Sequence, residues 1–371
     1  MISTVAVLGA GNGGCAVAAD LGARGYDVRI HSRTAVRLRP LAEQGGIVRR
    51  GACGEGFVPI GVITTDLRVA VEGADLVVLA APASAHEHYA DPLGAVMVGG
   101  QILLLNPGGT GGSLYFAERF RKSGADPGIG LGEVATLSHA CRIVEPGVVN
   151  ILRLIDWLPF AAWPGATQEK LQALLAPVFP AIAPAADVLE TAFLNINAVE
   201  HPAQILCNAG WVEHTGGTYL FYYEGTTPAV GAVIDGVDAE RRAVGEAWGV
   251  RTPPFAEIFG RMGYTTAEAA RAGGAHAALQ ASAPNRWLTG PASLDHRYVH
   301  EDVGCGLVPW AALGARLDVA TPVMDSLIVL ASTMNERDYR REGLTLERLG
   351  IGGLTPGEVK TYLATGRKQL T

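Results

Sequence analysis

Residues 4–30 read TVAVLGAGNGGCAVAADLGARGYDVRI. A short apolar, β-prone run (4–8) passes directly into Gly9-Ala10-Gly11-Asn12-Gly13-Gly14. An alanine-rich segment that reads as a helix follows, and then a second strand, Asp27 to Ile30. Strand, glycine turn, helix and strand in this order open a βαβ unit and hence a parallel sheet. The G-x-G-x-x-G spacing has a physical basis. Gly9 makes the tight turn, Gly11 lets backbone approach a pyrophosphate, and Gly14 lets helix and strand pack closely. The helix start, with Asn12 and Gly13, turns its N–H groups towards an anion. A dinucleotide site is therefore expected at the N-terminal end.

The residues after the second strand bear on which dinucleotide. An NAD-preferring site usually places Asp or Glu here to accept from the ribose 2′-OH. This chain has Ser32 and Arg33. No carboxylate repels a 2′-phosphate, and a guanidinium is at hand to pair with it. NADP is thus the preferred cofactor and NAD the alternative. Residues 47–66 read as irregular strands and turns. DLVVLA at 75–80 is another buried strand, ending at Ala81 and Pro82, where backbone typically passes the nicotinamide side of a cofactor. His86 and His88 read as surface residues. QILLL at 101–105 runs into the glycine-rich loop Asn106-Pro107-Gly108-Gly109-Thr110-Gly111-Gly112, at the strand end where open α/β sheets bind ligands. From Val188 on the pattern is helical. The expected fold is an α/β Rossmann-type domain with a mostly parallel sheet over residues 1–187, then an all-α domain over 188–371.

Composition narrows the function classes. Of 371 residues, 49% are hydrophobic and 18% charged, and the net charge is −7. Basic residues are scattered, which argues against nucleic acid or an anionic membrane surface as partner. No apolar run is long enough to span a bilayer and no secretory leader is evident, so a cytoplasmic location is expected. The five cysteines are isolated and form no C-x-x-C pair, so no metal site is expected. Of the 29 basic residues, the only lysines are Lys122, Lys170, Lys360 and Lys368.

The second half opens with FLNINAVEHPAQILCNAG, residues 193–210. Asn197, His201, Gln204 and Asn208 fall on one helical face, and Pro202 should bend the helix beside His201. A polar stripe on an apolar helix either packs with satisfied amides or lines a cavity. His201 is the candidate acid/base.

The chain resembles the opine dehydrogenase family, of the octopine/nopaline dehydrogenase type. The matching segments are GAGNGG (9–14), NPGGTGG (106–112), GEVATLSHACR (132–142), NAVEHP (197–202), FYYEGTTPAV (221–230), RYVHEDVGCGLVP (297–309) and TPVMDSLI (321–328). The resemblance implies reductive condensation of an amino acid's amine with a 2-oxo acid, using NADH or NADPH, at a site between the two domains. By matching position it makes His201 the catalytic histidine and Asp302 its dyad carboxylate; on the residues alone Glu301, and more weakly Asp295, are rivals for the carboxylate role. It sets Arg297 against the cofactor pyrophosphate. It puts Glu133 and Cys141 on the cofactor side, and Asn106, Gly109, Thr110, Thr136 and Asn197 on the substrate side. Gly304 departs from the proline expected there. Expected partners are a small amino acid and a 2-oxo acid, with a homodimer left open. Two other readings remain: a simple 2-oxo acid reductase, and a non-catalytic NADP-binding sensor. The reductases commonly use a lysine on the interdomain helix, and this chain has none between 171 and 359.

Overall fold

In the computed structural model, residues 1–368 are described. Among the described residues, twelve strands form two sheets: β1 Thr4–Leu8, β2 Asp27–His31, β3 Gly46–Gly51, β4 Gly56–Pro59, β5 Val62–Thr64, β6 Leu76–Leu79, β7 Ile102–Leu105, β8 Gly130–Val134, β9 His139–Glu145, β10 Val148–Leu154, β11 Leu158–Trp163 and β12 Ile182–Pro184. The large sheet runs β12-β11-β8-β7-β6-β1-β2-β5. All its pairs are parallel except β8 with β11. Strand order reverses beside β1, and such a switch point opens a crevice at the strands' carboxyl ends. The central strands read VAVL, LVVL and ILLL because both of their faces are covered.

A smaller sheet, β4-β3-β10-β9, is built from the stretch expected to be irregular and from the segment after β8. It packs on the Asn12–Ala23 helix, where the Asn12 side-chain oxygen accepts the Ile143 N–H of β9 at 2.8 Å.

The chain divides into two compact units, 1–191 with the C-terminal segment from 360, and 192–359. This moves the domain boundary from 187 and corrects the assignment of the C-terminus. Residues 356–365 form a helix whose Tyr362 ring meets Trp163 edge-on at 5.3 Å, and Lys368 reaches Glu118 at 2.8 Å.

The second unit is helical. Its longest helix, Pro228–Ala247, starts with proline in the first turn and Thr227 accepting from the Val230 N–H. Two short helices, Ala267–Ala272 and Ala275–Gln280, are separated at Gly273 and Gly274, which adopt positive φ. No helix among the described residues is long and apolar enough to cross a membrane.

Candidate active site

The Ile196–Leu206 helix is buried along almost its whole length. Pro202 lies inside it and removes one backbone donor, yet the helix runs on to Leu206. His201 is 2% exposed. Its Nδ1 lies 2.8 Å from Asp302 Oδ2 and its Nε2 lies 2.9 Å from the Tyr222 hydroxyl. The Tyr298 ring stacks on the imidazole at 3.8 Å between centroids, and the Tyr222 and Tyr298 hydroxyls are 3.3 Å apart. An ionised Asp302 accepts the Nδ1 proton, which leaves the Nε2 lone pair facing Tyr222.

The polar stripe divides by role. The Gln204 amide donates to Thr226 Oγ1 at 2.7 Å, and the Asn208 amide donates to the Gly225 carbonyl at 2.8 Å. Both tie down the segment that carries Tyr222. Asn197 is half-buried one turn before His201.

Asp302 ends a short helix, Arg297–Asp302, and a π-helical turn, Val303–Leu307, follows. Pro309 lacks the N–H that an α-helix would return to the Cys305 carbonyl, so the chain widens here. Val308 N–H returns to the Val303 carbonyl, and the Gly304 carbonyl is taken by Leu344 N–H at 2.8 Å. A Cβ on Gly306 would stand 2.4 Å from the Ala198 Cβ. Only glycine lets this turn lie close enough to the histidine helix to present Asp302.

Burial pushes the Asp302 carboxyl up to about 7, against the pull of the Arg297 charge. Glu200 sits beside it, 3.7 Å from His201 Nε2. Burial, and then the neighbouring Asp302, raise the Glu200 carboxyl well above the ordinary range. Glu200 Oε2 has no hydrogen-bond partner among the described residues. The rivals for the dyad lie elsewhere. Glu301 is 3.9 Å from the half-exposed Arg297, and Asp295 pairs with His300 at 2.7 Å. Sequence reasoning gave no role to Glu200 or to Tyr222. Adjacency to His201 was the available signal for the first. Tyr222 and Tyr298 meet the histidine only through the tertiary fold.

In the first unit the glycine motif has the geometry a pyrophosphate needs. A Cβ on Gly14 would fall 1.6 Å from the Gly9 carbonyl oxygen, whereas Gly11 meets only the Arg37 guanidinium, at 3.9 Å. The helix after Gly11 has no side-chain cap, so its first N–H groups are available to an anion. Ser32 is buried and accepts the Thr34 N–H, while Arg33 is exposed over the Tyr89 ring at 5.9 Å. Arg37, unremarked in the sequence, is a further cation, next to Gly11. These residues fit a dinucleotide. Ala81 and Pro82 follow β6, and the Ala80 carbonyl lies 2.6 Å from where a Gly9 Cβ would be.

Several expected contacts are corrected. Glu133 is fully buried, and its oxygens accept from Ser113 N–H at 2.6 Å and Thr191 Oγ1 at 2.7 Å. It braces the Gly112–Ser123 helix rather than reaching a cofactor. Cys141 packs in the core, where burial raises its thiol to about 12. Asn106 has both ends of its amide engaged by Ser138, at 2.7 and 2.9 Å. Gly109 takes positive φ in that loop, and Thr110 and Thr136 are buried. His86 is not a surface residue; it is buried against Phe116, and desolvation lowers it to about 4.

Comparison with known proteins places the chain. Residues 184–335 match the family model "NAD/NADP octopine/nopaline dehydrogenase, alpha-helical domain", and residues 4–104 match "NADP oxidoreductase coenzyme F420-dependent". The chain is 35% identical to an opine dehydrogenase of Arthrobacter sp. (strain 1C), over 96% of its own length and 98% of that protein. Its fold is similar to octopine dehydrogenase with NADH and L-arginine, with a TM-score of 0.78, 21% identity, and coverage of 100% of this chain and 99% of that one. The same holds for octopine dehydrogenase with NADH and pyruvate, with a TM-score of 0.74, 22% identity and the same coverage. The chain therefore belongs to the opine dehydrogenase family, NAD(P)-dependent oxidoreductases acting on CH–NH bonds.

Proposed function

We propose that this enzyme condenses the amine of an amino acid with a 2-oxo acid and reduces the resulting imine. In this reading NADPH is the preferred cofactor, His201 the acid/base and Asp302 its orienting partner. The observation that carries it is the buried contact of His201 with Asp302 on one nitrogen and Tyr222 on the other.

The chemistry sets the demands. The substrate ammonium must lose a proton before its nitrogen attacks the oxo carbon. The carbinolamine oxygen must then gain protons to leave as water. His201 Nε2 accepts the first proton and returns one to the departing oxygen. Asp302 holds Nδ1–H, fixes the tautomer and stabilises the imidazolium, and Tyr222 and Tyr298 orient the ring. When bound, the dinucleotide supplies the hydride that saturates the C=N bond. Arg33 and Arg37 supply two cations for a ribose 2′-phosphate, and Arg297 is a half-exposed cation close to the dyad.

The test is NADPH consumption by the purified protein with mixed amino acids plus pyruvate, and with each alone. Consumption that needs both is expected. Consumption with the oxo acid alone would instate the simple reductase, and none under any condition would leave the sensor.

A further inference from the structure

Three side chains that the proposed reaction does not use converge in the first unit. Asp20 comes from the Asn12–Ala23 helix, Cys53 from the turn after β3 and His139 from the start of β9. Their donor atoms all lie within 4.8 Å of one another. We propose that Asp20, Cys53 and His139 bind one divalent transition-metal cation of borderline softness, for which zinc is the best fit.

The geometry carries this. His139 is 1% exposed, and its Nε2 makes no hydrogen bond among the described residues. The nitrogen faces the Asp20 carboxylate without hydrogen-bond alignment, and a cation between the two would take both lone pairs. His139 Nε2 stands 3.4 Å from Asp20 Oδ2. Zn–N and Zn–O bonds of about 2.0–2.1 Å at a tetrahedral angle separate their donor atoms by roughly 3.3–3.4 Å. The ring is also braced from behind. Its Nδ1 lies 2.8 Å from Ser138 Oγ, which accepts from the Asn106 amide at 2.7 Å. Asn106 Oδ1 in turn accepts the Ser138 N–H at 2.9 Å, which fixes the amide orientation. A proton on Nδ1 directed at Ser138 leaves Nε2 free to ligate, the arrangement typical of metal-bound histidine.

Cys53 is delivered by a pinned turn. Gly51 and Gly54 on either side take positive φ, and Ala52 N–H donates to the Ile151 carbonyl at 2.8 Å. One thiolate and one carboxylate balance a divalent charge, and the half-buried Cys53 leaves a route for the ion and a fourth, water ligand.

Two cations oppose binding. Arg24 Nη1 lies 3.3 Å from Asp20 Oδ2, and the Arg49 charge acts on Cys53. Arg24 keeps the Val178 and Pro177 carbonyls at 2.7 and 2.6 Å if it yields Asp20. Metal uptake must release the Cys53 thiol proton, so binding weakens as pH falls. The expectation of no metal site missed this cluster because its ligands lie far apart in sequence.

The experiment uses chelator-treated full-length protein and Co²⁺ as the spectroscopic probe, with Zn²⁺ as competitor. One equivalent of Co²⁺ should give the intense near-ultraviolet band of thiolate-to-cobalt charge transfer. Zn²⁺ should abolish that band and raise the melting temperature. Cys53→Ser and Asp20→Asn should lose the band while NADPH binding persists as proof of folding. Cys207→Ser, which removes an exposed thiol, should keep it. A wild-type protein with no thiolate band, or a band retained in Cys53→Ser, would overturn the site.

Discussion

At the scale of single residues, the proposed chemistry rests on a histidine with different partners on its two nitrogens. His201→Ala should lower kcat by about 10²–10⁴-fold, the usual range for an acid/base, while NADPH still binds. Asp302→Asn should cost a comparable factor, because an amide cannot hold the imidazolium. Tyr222→Phe keeps the ring and removes one hydrogen bond, so a loss of about tenfold is expected. Steady-state kinetics and NADPH titration check all three, and a fully active His201→Ala would refute the assignment. Arg33 and Arg37 make a separate prediction. Replacing either with alanine should raise KM for NADPH at least about tenfold and leave NADH nearly unchanged, since only the 2′-phosphate supplies the paired charge. Equal losses with both cofactors would remove the preference for NADP.

At the scale of elements, the dyad depends on how closely two helical segments approach. The π-helical turn lies against the histidine helix because residue 306 has no side chain. Gly306→Ala should force the Asp302 segment away from Ala198 and destabilise the fold by about 1–3 kcal/mol, as overpacking does. It should also lower kcat. Adding Ala198→Gly restores the space and should recover both stability and turnover. Denaturant titration and kinetics of the single and double variants decide this, and a harmless single variant would contradict it. Gly304 stands where the family pattern has proline. Its carbonyl is bonded by Leu344 N–H and its own position is less crowded, with the nearest neighbour, Tyr339, 3.4 Å from where a Cβ would be.

At the scale of the whole molecule, buried carboxyls set the pH response. Glu133 is raised from 4.5 to about 7, chiefly by desolvation. The folded state holds this proton more tightly than the unfolded chain does. Its stabilising contribution is therefore complete below about pH 4.5 and is lost as pH rises through about 7. A shift of this size corresponds to about 3 kcal/mol. Asp302 and Glu200 act in the same direction. Glu118 acts oppositely. Burial would raise it, but Arg121, Lys368 and Lys122 hold it down to about 2, so its contribution fails in acid. Thermal stability should be greatest in mild acid and fall from about pH 5 to 8. Glu133→Gln keeps an acceptor for the Ser113 N–H, and its amide can donate to Thr191 Oγ1 while that hydroxyl donates to the Val188 carbonyl, so it should flatten that fall. A wild-type melting temperature independent of pH over this range would contradict the assignment.

Local patterns in the sequence determined the dinucleotide half. The GAGNGG turn, the apolar strands and Ser32-Arg33 act through neighbours a few residues away, and the family motifs made His201 and Asp302 a pair to look for. Only tertiary structure brought that pair to 2.8 Å, because the two residues are separated by 101 positions and their approach depends on a glycine contact with no local signature. The same holds for Tyr222 and Tyr298 around His201, for Glu133 turning inward, and for the return of residues 360–368 to the first unit. It holds most plainly for Asp20, Cys53 and His139. Each is an isolated residue in the sequence, and nothing short of the folded packing of a helix, a turn and a strand could set their donor atoms within reach of one ion.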